Sequence, residues 1–155
     1  MRSTLSILLL LASFASYGAT LAQMKLKENM LTRTDKILTT IKDTQINLKD
    51  GKYEDACDKI KEIYEIYPDH LEDIGGHMNI LKGSVYKLRN ESLQQLMFFH
   101  KQSLVCASGE NNENIDPKFL AVELKKIEKS VVKQKKAIKK DSMEFDNTFH
   151  YEYEF

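Results

Sequence analysis

The stretch YEDACDKIKEIYEIYPDHLEDIGGHMNILKGS, residues 53–84, places Tyr53, Cys57, Ile60, Tyr64, Tyr67, Leu71, Ile74, Met78 and Leu81 at steps of three and four. That spacing keeps one face of an α-helix. The phase survives Pro68, so the proline marks a kink or a brief break in a helix that resumes. Lys82-Gly83-Ser84 then supplies the turn signal.

Outward from this stretch the pattern stays helical. Met30, Thr34, Ile37, Ile41 and Leu48 form a stripe on a first helix over about residues 24–48, stopped by Asp50-Gly51. A third helix carries Val85, Leu88, Ser92, Leu96, Phe99 and Ser103 on one face, with Leu93, Met97 and Leu104 beside it, and stops near Ser108-Gly109. After a polar loop, Asp116 as N-cap and Pro117 at the first helical position open a fourth helix to about Lys140, with Leu120, Leu124, Ile127, Val131 and Ile138 as its core stripe. The chain has only two prolines and no sustained apolar-polar alternation, which excludes a β architecture. The expectation is an all-α, up-down four-helix bundle with a flexible C-terminal tail.

Residues 1–22 read as a signal peptide: Arg2, then an apolar run from Leu5 to Phe14, then small residues up to Ala22. The run is too short to span a bilayer as a helix, and no later stretch is apolar enough, so a protein that is secreted and not transmembrane is expected. The domains are then the signal peptide at 1–22, a helical bundle at 23–141 and an acidic aromatic tail at 142–155. Without Arg2 the mature chain has 22 basic and 23 acidic side chains. A net charge of −1 gives no global reason for a nucleic-acid or membrane partner.

An oxidising compartment favours a disulfide between the only two cysteines, Cys57 and Cys106. In an antiparallel helical hairpin, cross-linked residues are equally far from the turn, and the midpoint of this pair is 81.5. It falls beside Lys82-Gly83. A reversal at Pro68 would instead leave the two cysteines tens of ångströms apart along the helix axis, at about 1.5 Å per residue.

Gly51, Tyr53, Ala56 and Tyr67-Pro68 fall at the spacing of the second helix of a tetratricopeptide repeat, and this segment of about 20 residues resembles that family. The preceding helix departs from the family pattern, and no second copy recurs at the family period of about 34 residues. The resemblance therefore implies only that Tyr53 and Ala56 pack against the first helix.

No catalytic constellation is legible, and no cofactor is expected. His70, Asp73 and His77 share a helical face that could ligate a metal, but a further ligand is missing and the simpler reading is solvated boundary residues, so no metal site is assigned. Glu62, Glu65, Asp69, Glu72 and Asp73 read as a soluble outer face. Asn90-Glu91-Ser92 is a glycosylation sequon: Asn90 lies off the core stripe, whereas Ser92 lies on it.

The last third carries the best functional clue. Residues 117–140 hold nine lysines and two glutamates, whereas residues 141–155 hold five acids and no lysine or arginine. Val122, Lys126, Lys129, Lys133, Lys136 and Lys140 lie nearly opposite the core stripe, as an accessible basic face for an acidic protein, an anionic polysaccharide or an acidic surface. The tail interleaves Phe149, Tyr151, Tyr153 and Phe155 with acids, resembling the acidic aromatic tails of secreted anticoagulants; Tyr151 and Tyr153 are candidates for sulfation. The expected function is a secreted, non-enzymatic inhibitor or effector that binds an extracellular protein through the basic helix and the tail. The alternative is a carrier holding a lipid or other apolar ligand among Tyr53, Tyr64, Tyr67, Met78, Met97, Phe98 and Phe99. The oligomeric state is not legible.

Overall fold

The computed structural model describes the backbone of residues 3–78, 85–108 and 115–140 and the side chains of residues 24–76, 86–108 and 115–139. These residues form four helices, α1 Ser3–Lys49, α2 Tyr53–Met78, α3 Val85–Ala107 and α4 Pro117–Lys140, and no strand among them. α1 begins well before residue 24. The Leu- and Ala-rich residues 5–22 are strong helix formers, and nothing at residue 23 interrupts them. α2 runs through Pro68 without a break.

The helix ends follow from local chemistry. Gly51 adopts φ 71°, the left-handed conformation that ends α1, and Lys52 N donates to Asn47 O at 2.8 Å across the turn. Asp116 Oδ1 accepts from the backbone N–H groups of Lys118 and Phe119, both at 3.0 Å, and so caps α4. Replacing Asp116 with alanine should lower the unfolding free energy by about 1 kcal/mol in a urea titration. An unchanged midpoint would show that the cap contributes nothing.

Cross-helix pairs fix the topology. Cys57 and Cys106 form a disulfide with Cα atoms 5.7 Å apart, and the Tyr67 hydroxyl donates to Gln95 Oε1 at 2.9 Å. The midpoints of these two pairs, 81.5 and 81, both lie in the link between α2 and α3, so the two helices are antiparallel. The residues of that link, Lys82-Gly83 included, lie outside the described residues, as do Gly109 and the tail at 142–155. Arg33 reaches Asp69 and Asp73 from α1, and Asp35 and Gln45 of α1 pair with Lys135 and Glu128 of α4. The bundle is up-down: α1 packs along α2 and α4, and α2 packs along α3. The α3 and α4 backbones scarcely approach each other.

Two apolar clusters make the core. The larger includes Ile37, Ile41, Ile60, Ile63, Tyr67, Phe99, Leu124 and Val131; the smaller joins Met30, Ile74, Leu88 and Ile138, one residue from each helix. Each helix also buries polar residues on its inward face: Thr34 on α1, His70 on α2, Ser92 and Gln95 on α3, and Gln134 on α4. The cross-helix pairings set these at one level between the clusters. Thr34, like Thr40 and Thr44, satisfies its hydroxyl on the carbonyl four residues earlier, whereas His70 Nδ1 and Ser92 Oγ have no hydrogen-bond partner among the described residues.

The buried face of α2 is wider than its expected stripe. Ile63, Ile66, His70 and Asp73 are buried beside it because α2 is sandwiched between α1 and α3 and needs two contact faces. This corrects two expectations. His70 is 1% exposed rather than a solvated boundary residue, and Asp73 is buried beneath Arg33 rather than on the outer face. Ala56 packs in the core with α1 residues as expected, whereas Tyr53 at the helix start keeps 37% of its surface exposed. On α3, Met97 and Leu104 point outward instead of flanking the core, while Gln95 and Gln102 are buried in their stead.

Candidate functional site

α4 is the helix on which charge and exposure separate most sharply. Its buried residues Leu120, Leu124, Ile127, Val131, Gln134 and Ile138 lie on one stripe, at about 100° per residue. Lys129, Lys133 and Lys136 project from the opposite side, all exposed, as is Val122 among them. Lys118 and Lys125 are exposed on the same face. The periodicity that located the other lysines places these two equally well, but they were not picked out. Lys126 sits toward the α3 edge, its ammonium 2.5 Å from Glu123 Oε1. Lys140 ends α4, and its side chain lies outside the described residues.

Both glutamates of α4 stand at the borders of this face. Glu123 lines the gap toward α3, and Glu128 accepts from Gln45 Nε2 of α1 at 3.2 Å. The outermost surface of α4 therefore carries cations without a neutralising carboxylate of its own. Lys135, on the α1 side, is instead paired with Asp35. From Lys126 to Lys140 the expected basic stripe extends about 21 Å along the axis.

Beside this face, α3 and α4 meet through polar side chains. Gln95 Nε2 donates to Ser130 Oγ at 3.0 Å, and Glu91 Oε2 accepts from Ser130 Oγ at 3.2 Å and from Gln134 Nε2 at 3.1 Å. With the Tyr67–Gln95 bond this chain of contacts ties three helices together. Burial pushes the Tyr67 hydroxyl pKa well up, so it remains a neutral donor. The seam leaves an open groove of about 270 Å³, lined by Glu91, Gln94, Gln95, Phe98, Glu123, Lys126, Ile127 and Ser130. Phe119, half exposed, lies with its ring centroid 6.4 Å from that of Phe98. The seam was missed in the sequence, although Gln95 and Gln134 both fall in core phase, which was the available signal.

The second cluster of charge lies on the far side of the bundle. Arg33 Nε donates to Asp73 Oδ2 at 2.6 Å, and Arg33 Nη1 donates to Asp69 Oδ2 at 2.9 Å. Partial burial lowers the guanidinium pKa, but the hydrogen bonds and charges of the two aspartates outweigh it and hold the pKa above its ordinary value. Asp73 is thereby occupied by Arg33, and the His77 side chain lies outside the described residues. Among the described residues no group of three or more His, Cys, Asp or Glu is placed to hold a metal.

The remaining sequence candidates are scattered. The Cys57–Cys106 bond ties α2 to α3. Asn90 lies half-buried on α3. Phe149, Tyr151, Tyr153 and Phe155 lie outside the described residues. Of the aromatic set, Tyr67 and Phe99 stack at 5.7 Å and Phe98 packs edge-on to Phe99 at 5.3 Å, so these rings fill one another's space. Met97 is 71% exposed. No described helix is long and apolar enough to cross a membrane. The chain matches no protein-family profile, no curated protein and no solved structure.

Proposed function

We propose that this is a secreted, non-enzymatic interaction protein whose α4 lysine face docks on an acidic patch of an extracellular protein, with the acidic aromatic tail as a second contact. The observation that carries this reading is the composition of the face: Lys129, Lys133 and Lys136 are exposed, while both α4 glutamates are set at its borders. A helix that needed charge only for solubility would gain more from lysines and glutamates interleaved at i and i+4. Uncompensated like charges repel one another, and an acidic partner relieves that repulsion. The carrier reading has less support, because Tyr67, Phe98 and Phe99 pack on one another and the α3–α4 groove is open to solvent.

The test is capture from extracellular fluid with three proteins: wild type, K129E/K133E/K136E, and a chain ending at residue 141. Wild type should retain a partner that added salt releases. The triple reversal should weaken that binding at least about tenfold, from roughly 0.5 kcal/mol or more per charge. Full retention by the reversal variant would refute the lysine face, and full retention by the shortened chain would remove the tail from the interface. If the retained species is an anionic polysaccharide, glycosidase treatment of the fluid abolishes capture.

A further inference from the structure

Ser92 poses a problem that the fold does not answer. It is 0% exposed on the inward face of α3, and its Oγ has no hydrogen-bond partner among the described residues. The buried threonines of α1 bond back to the preceding turn; Ser92 does not. A buried hydroxyl left unpaired is destabilising, and alanine would serve the helix and the core better. Packing alone gives no reason for a hydroxyl at this position.

The sequon Asn90-Glu91-Ser92 supplies a reason, since acceptance of an N-linked glycan depends on a hydroxyl two residues after the asparagine. Asn90 is half-buried and lies about 180° around α3 from the buried Phe99. Its outward face carries three exposed large apolar side chains in line. Tyr86 is 49% exposed, Met97 71% and Leu104 57%, and they line up with Asn90 along the helix. An exposed apolar stripe of this kind is an association hazard unless something covers it.

We propose that Asn90 carries an N-linked glycan, attached before α3 packs, and that this glycan covers the outward Tyr86–Met97–Leu104 stripe. In the transfer, Asn90 Nδ2 attacks the anomeric carbon of an oligosaccharide carried on a lipid pyrophosphate. The new C–N bond replaces the C–O bond to pyrophosphate, which departs with the lipid, and the amide proton passes to a base on the transferase. The order of events follows from burial: once the bundle closes, the Ser92 hydroxyl is sealed inside it. The proposal rests on the export reading, because the donor lipid and its transferase are met only in the secretory pathway.

The experiment expresses the full chain, with its own N-terminus, in a eukaryotic secretory cell, alongside N90Q and S92A. The medium should contain wild type at a mass above that of its polypeptide, returning to the polypeptide mass after enzymatic removal of N-glycans, and both variants at polypeptide mass. S92A should melt no lower than enzymatically deglycosylated wild type, because its lost hydroxyl had no partner. Deglycosylated wild type should bind a hydrophobic dye several-fold more than the glycosylated form. Wild type secreted at polypeptide mass overturns the glycan while leaving export intact. Chain that stays inside the cell unmodified overturns both. A glycosylated protein whose dye binding does not change on deglycosylation overturns the covering role.

Discussion

Cys57→Ala together with Cys106→Ala should lower the unfolding free energy by about 4 kcal/mol, the loop-closure value for a sequence separation of 49. A domain of this size has roughly 5–15 kcal/mol in total, so the variant should unfold at a much lower urea midpoint. The bond joins α2 to α3 near the closed α1–α2 end of the bundle, far along both helices from the link that connects them. It therefore restrains a long segment of unfolded chain. Reducing agent should reproduce the loss in wild type without changing any side chain, and should leave the alanine variant unaffected. A loss below about 1 kcal/mol in both experiments would mean that the reduced chain already holds the α2–α3 hairpin together in its unfolded ensemble.

Acid should destabilise the fold by about 3 kcal/mol through His70 alone, from a pKa that moves from 6.5 to about 4. Burial is the main cause, since the ring is 1% exposed and desolvation opposes the imidazolium. Asp73 attracts a proton to the ring and Arg33 repels it, and these two charges partly offset each other. The neighbouring Tyr67 ring meets it edge-on, with centroids 6.2 Å apart, and stays neutral. Above pH 6.5 the histidine is neutral in both folded and unfolded chains, and its contribution is fully present. As pH falls from 6.5 toward 4 the unfolded chain takes up a proton that the folded chain refuses, so stability declines across that window and levels off below it. Urea titrations at pH 7 and pH 4.5 should show this decline in wild type, and H70L should lose most of it. An equal decline in H70L would assign the acid sensitivity to carboxylates elsewhere.

The register was the most legible part of the fold. Two cysteines and one glycine-containing turn located the α2–α3 reversal, and the midpoint of 81 from Tyr67 and Gln95, a pair not used in that reasoning, agrees with it. The α4 stripe was also plain, because every apolar residue assigned to it is buried. Polar groups resisted reading. Periodicity arguments sort residues into apolar and polar, and His70, Asp73, Gln95 and Gln134 are polar residues taken inside by specific partners or by a second neighbouring helix. A partner on another helix leaves no trace at fixed spacing in the chain. The lysine face was legible in composition and phase, whereas the glutamates' placement at its borders depends on which helices flank α4 and emerges only with the fold.

The seam between α3 and α4 holds the basic helix less closely than its α1 side does. Toward α1, α4 is held by the large apolar cluster, with the Asp35–Lys135 and Gln45–Glu128 pairs at its edge. Toward α3 the backbones scarcely approach, and amides, a hydroxyl and a carboxylate join the Phe98–Phe119 contact. If α4 swung outward on that side, water could replace each hydrogen bond that parts, and the apolar contacts shared with α3, Phe98–Phe119 among them, would be the part it could not replace. Tilting toward a partner's contour would therefore cost α4 less on its α3 side, where the backbones scarcely meet, than on its α1 side.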